Sequence, residues 1–115
     1  MNPDINKIID EIKEKTISGN QLLIKITDYQ SRFNSLTTNE KAHLVQIRTE
    51  HNTLITEINK LKHNALELHF SDSYTEKYDR KIFLENKNLE RTPQETTEFG
   101  KLVSELEEMN KKLFK

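Results

Sequence analysis

The sequence predicts an all-α protein, an antiparallel three- or four-helix bundle with long coiled-coil-like helices. Three observations carry that expectation. Only two Gly and two Pro occur in 115 residues, too few for the many tight reversals of a β-fold. Apolar residues recur in alternating steps of three and four, the spacing that lines one face of a helix. Charged residues make up 32% of the chain and the mean hydropathy is −0.84, so the 31 Leu, Ile, Val and Phe residues must be gathered on narrow faces.

The first helix is expected over about 3–36. Asn2 suits its N-cap, Pro3 the first helical position, and Asp4 the positive end of the dipole. Ile5, Ile8, Ile12, Leu22, Ile26, Tyr29, Phe33 and Leu36 share one register, whose two missing steps fall on Lys15 and Gly19. A loop at Ser18-Gly19-Asn20 would keep that phase only by chance. One long helix is therefore expected, with Gly19 either a weak point or a place where another helix comes close.

Thr37 and Glu40 have the spacing of a capping box, and they open a second helix expected over about 38–69. Its line is Leu44, Ile47, His51, Leu54, Ile58, Leu61, Ala65 and Leu68, and Val45, Ile55 and Leu66 broaden it. A third helix, about 73–91, is expected to start at a Ser73–Glu76 capping box and to carry Tyr74, Tyr78, Ile82, Phe83 and Leu89 on a less regular face. Thr92-Pro93-Gln94-Glu95 combines a cap, a first-turn Pro and a capping-box Glu. It opens a fourth helix, about 93–114, with Phe99, Leu102, Leu106, Met109 and Leu113 in step and Lys111, Lys112 and Lys115 near its negative end. Whether Pro93 marks a kink or a full reversal is open at this level. Glu11–Lys15, Glu76–Arg80, Glu107–Lys111 and Glu108–Lys112 have the spacing of pairs on solvated faces.

Length and pattern give one domain, 1–115. The net charge is −1 with no polybasic run, and 14 Lys stand against 4 Arg, which argues against nucleic acid or an anionic membrane as partner. There is no Cys, hence no disulfide framework or thiolate chemistry. No stretch reaches the roughly 18 apolar residues of a membrane span, and Met1–Lys7 lacks the pattern of a signal peptide. The expected location is cytoplasmic.

Candidate chemistry is sparse. His43, His51, His63 and His69 all fall on the second helix at spacings unlike those of metal ligands, so no metal and no cofactor are expected. His51 reads as a polar seam residue that fixes register, with a pH-sensitive packing switch as the sharper alternative. His43 invites comparison with phosphotransfer domains, which place Lys and Gly three and four residues after their His; Gln46 and Ile47 stand there, and Ile47 is expected to block access. All-helical chorismate mutases need several Arg and Lys side chains pointing into the bundle; the first helix has one Arg, Arg32 near its end, and its basic residues mostly flank the seam. Adjacent carboxylates such as Asp10–Glu11 and Glu107–Glu108 point different ways and cannot act as an acid–base pair.

No catalytic residue and no small-molecule substrate are therefore expected. Ile17, Leu23, Ile24, Leu66, Val103 and Phe114 lie off the main seams. This surplus predicts a non-enzymatic adaptor, small export or assembly chaperone, or regulatory subunit that binds a protein partner or its own copy. A helical enzyme or phosphotransfer domain and a nucleic-acid-associated protein are the alternatives.

Overall fold

The computed structural model describes residues 3–114. The fold is all-α, with no strand among the described residues. Its helices are α1 (Pro3–Ser31), α2 (Thr38–Phe70), α3 (Asp72–Lys87) and α4 (Pro93–Leu113), and short 3-10 turns follow α1 (Phe33–Ser35) and α3 (Asn88–Glu90). The expected Asn2 cap and Lys115 lie outside the described residues.

Helix boundaries follow local chemistry. The backbone N–H of Glu40 donates to the Thr37 hydroxyl at 3.1 Å, and that of Thr37 donates to the Glu40 carboxylate at 3.0 Å. Thr92 and Glu95 repeat the arrangement at α4. The expected Ser73–Glu76 box does not form. A single residue, Ser71, separates α2 from α3 at φ 53°, ψ −131°, and its carbonyl accepts from the N–H groups of Tyr74 and Thr75. The helix restarts before Ser73 can act as a cap.

The chain gathers into two compact units, one of residues 6–62 and the other of residues 63–115 with the start of α1 through Ile5. In the first, α1 runs unbroken through Gly19 and packs against α2 as an antiparallel hairpin. As numbers climb along α1 they fall equally along α2, through Lys15–Glu57, Gly19–His51, Tyr29–His43 and Arg32–Glu40. Ile26, Leu36, Leu44 and Ile47 form its core cluster, with Leu22 and Tyr29 packed against it. Val45 and Ile55 were expected to broaden a covered face, yet they are 63% and 42% exposed. Two helices cover one seam and leave its flanks open.

In the second unit, α4 reverses fully and runs back along α3. Lys77–Glu105, Arg80–Glu98 and Lys87–Glu95 tie the two together. Arg80 thus leaves Glu76, its expected partner, for a two-pronged contact with Glu98. Ile5, Ala65, Leu66, Tyr74, Leu84 and Leu113 are buried here. Leu66, expected to be surplus, is 6% exposed. The face of α3 also differs from expectation: Leu84 is fully buried, whereas Phe83 is half exposed and Leu89 is 94% exposed. Phe83 lies beneath the cations of Arg80 and Lys87, at 5.2 and 5.1 Å from its ring centre.

Candidate functional site

The α1–α2 hairpin carries most of the exposed large apolar residues, Ile17, Leu23, Ile24, Val45 and Ile55 among them. The two interruptions of the α1 seam, Lys15 and Gly19, each meet a polar residue of α2. The Lys15 ammonium donates to the Glu57 carboxylate at 2.7 Å, which raises the Lys15 pKa above its ordinary value. A Cβ added to Gly19 would lie 3.9 Å from Cδ2 of His51, an ordinary van der Waals contact. Sliding the hairpin by one heptad would set Lys15 or His51 against aliphatic residues, so these two layers select one register. No close approach therefore requires the glycine at Gly19, and His51 stands at the expected place in the seam.

Beside this seam lies an open groove of about 490 Å³. Leu22 of α1 and Leu54 of α2, both half-buried, form its floor. Ser18, Gln21, Thr49 and Thr53 make up the rest of its polar lining, with Lys25 on the α1 wall and Glu50 on the α2 wall. The opposite flank carries the neighbours of the floor leucines, Leu23 at 46% and Ile55 at 42% exposure. Ile17 and Ile24, seven residues apart, are 59% and 72% exposed on the side of α1 facing away from its buried line. Of the six surplus residues named from sequence, Ile17, Leu23 and Ile24 are exposed, while Val103 and Phe114 are half-buried.

Near the hairpin turn, Tyr29 and His43 are joined through Tyr29 Oη and His43 Nδ1 at 2.8 Å. Lys25, Asp28 and Arg32 share the hollow beside them. Ile47 does not block His43: it points into the core with 3% exposure, and the group engaging His43 is the Tyr29 hydroxyl. Arg32 is held by Asp28 at 3.0 Å and by Glu40 at 3.6 Å.

A second polar array, centred on His63, was missed from sequence. His63 Nε2 lies 2.7 Å from the Glu67 carboxylate, and Nδ1 lies 2.7 Å from the Tyr74 hydroxyl. Because a carboxylate only accepts, Nε2 carries a hydrogen toward Glu67, while Nδ1 faces the Tyr74 hydroxyl, a group that can both donate and accept. Burial pushes the Tyr74 hydroxyl up to about 12, with Tyr78 and Glu67 adding to the rise. Tyr74 is only 4% exposed, which leaves no room for a substrate at its oxygen. The array closes the corner between α2 and α3. The Glu67 spacing to His63 was visible in the sequence; the approach of Tyr74 depends on the one-residue link at Ser71.

Among the described residues, no three His, Asp or Glu side chains come together closely enough to hold a metal ion. Among the described residues, no helix is long and apolar enough to cross a membrane. Compared with known families, curated proteins and solved structures, the chain finds no match in any of the three.

Proposed function

We propose that this chain is a non-enzymatic protein-binding module, of the adaptor, assembly-chaperone or regulatory-subunit kind, and that the α1–α2 hairpin is its binding element. One observation carries the reading: the leucine-floored groove runs between two helices whose seam no third helix of their own unit covers. A helical partner laid along it would bury Leu22 and Leu54 and complete a bundle. The short lining residues Ser18, Thr49 and Thr53 permit a close approach. The test is affinity capture from the native host with the intact chain and with Leu54→Asp, after far-UV circular dichroism confirms equal helicity. Selective loss of a defined partner from the variant is the expected result. Identical capture by both proteins would sink the reading.

A second reading, phosphotransfer at His43, has its exposed ring beside Lys25 in favour. Against it, Gln46 occupies the place of the motif's Lys, and Arg32 is already engaged by two carboxylates. Incubation with a small phosphoryl donor should leave His43 unmodified; an acid-labile phosphate there would reverse the order of the two readings.

A further inference from the structure

The groove contains its own complement. Its two charged side chains, Lys25 and Glu50, stand on opposite walls, one on each helix. Counted from the Gly19–His51 and Tyr29–His43 layers, Lys25 is level with residues 45–47 of α2 and Glu50 lies about one turn along, a gap that two long side chains can span. Lys25 has no carboxylate within 4.0 Å among the described residues, and Glu50 has as its partner only the neutral amide of Gln46, at 3.3 Å. Opposite charges on facing walls have a symmetry consequence. A two-fold axis along the groove brings Lys25 of one copy to the wall that carries Glu50 of the other, and the reverse, at the same time.

We propose that the groove is occupied by a second copy of this chain, docked hairpin to hairpin about a two-fold axis parallel to α1 and α2. This rests on the reading of the groove as a protein-binding surface and names its occupant. The same rotation turns the two leucine floors toward each other, with Leu22 of one copy and Leu54 of the other staggered by more than a turn, while the walls exchange charges. The axis also preserves helix direction: each α1 lies between its own α2 and the other copy's α2, antiparallel to both, the arrangement that helix dipoles favour. An unrelated helix would need one anion and one cation at matching positions. A second copy supplies both by symmetry.

The experiment is sedimentation equilibrium of the full chain and four variants of equal helicity: Lys25→Glu, Glu50→Lys, the double exchange Lys25→Glu/Glu50→Lys, and Lys13→Glu as a charge-matched control outside the groove. The parent is expected to be a dimer. Each single reversal is expected to weaken dimerisation about tenfold, since like charges then face each other twice per dimer. The double exchange should restore the parent affinity, and Lys13→Glu should leave it unchanged. A monomeric parent, or single and double variants that associate alike, would overturn self-pairing. A monomeric parent that still captures a partner in a Leu54→Asp-sensitive way would overturn this inference alone and leave the binding reading standing.

Discussion

Gly19 is the residue where sequence and structure meet most directly. It lies inside a continuous helix, at no positive φ, with His51 across the seam at a distance that accommodates one more carbon. The helix tolerates the glycine at a cost in backbone entropy, and no packing constraint requires it. Gly19→Ala is therefore expected to stabilise the hairpin by about 1 kcal/mol, read as a shift in urea midpoint at unchanged slope. A destabilised variant would mean that His51 packs more tightly than 3.9 Å implies. Ser71 is the opposite case. At φ 53°, ψ −131° it holds a conformation that only glycine adopts without strain. Ser71→Gly should stabilise by about 1 kcal/mol, whereas Ser71→Ala should give nothing comparable. Thermal unfolding of the two variants separates strain relief from loss of the hydroxyl.

At the scale of elements, helix starts were readable where a cap is local in sequence, and helix faces were not readable where neighbours decide them. Thr37–Glu40 and Thr92–Glu95 each close within four residues, so their chemistry is written in adjacent letters. Thr92→Ala removes the acceptor for the Glu95 N–H and is expected to cost about 1 kcal/mol, with α4 amides showing the largest gain in hydrogen exchange. Uniform gains over α1 to α4 would instead mean that α4 does not open separately. The face of α3 was misread because Phe83 and Leu84 are adjacent and both apolar. Arg80 and Lys87 shelter Phe83 from above, and Leu84 takes the buried position. Nothing in the local pattern distinguishes the two. The groove itself is not legible in the sequence: the surplus residues Leu23 and Ile24 lie outside it, and Leu22 and Leu54 read as members of the seam. That their floor stays open depends on how few helices unit 6–62 contains.

Over the whole molecule, the near-neutral sum of 18 cations and 19 anions conceals specific pairings, and these set the response to acid. Three carboxylates have folded pKa values below the ordinary 4.5. Glu95 lies at about 2, held by the Lys87 ammonium first and the Thr92 backbone N–H second. Glu40 is lowered chiefly by the Thr37 N–H, and Glu105 by Lys77. A depressed folded pKa means that the unfolded chain binds the proton more readily. The stabilisation is complete above about pH 4.5 and drains away as pH falls toward the folded values. Stability should therefore stay level down to about pH 5 and decline between 4.5 and 2, with part of the decline belonging to the α4 cap. Urea unfolding across that range on the parent and on Glu95→Gln checks this. The variant should start less stable at neutral pH and lose less on acidification, so the two curves converge near pH 2. Parallel curves would mean that the Lys87–Glu95 contact contributes nothing in solution.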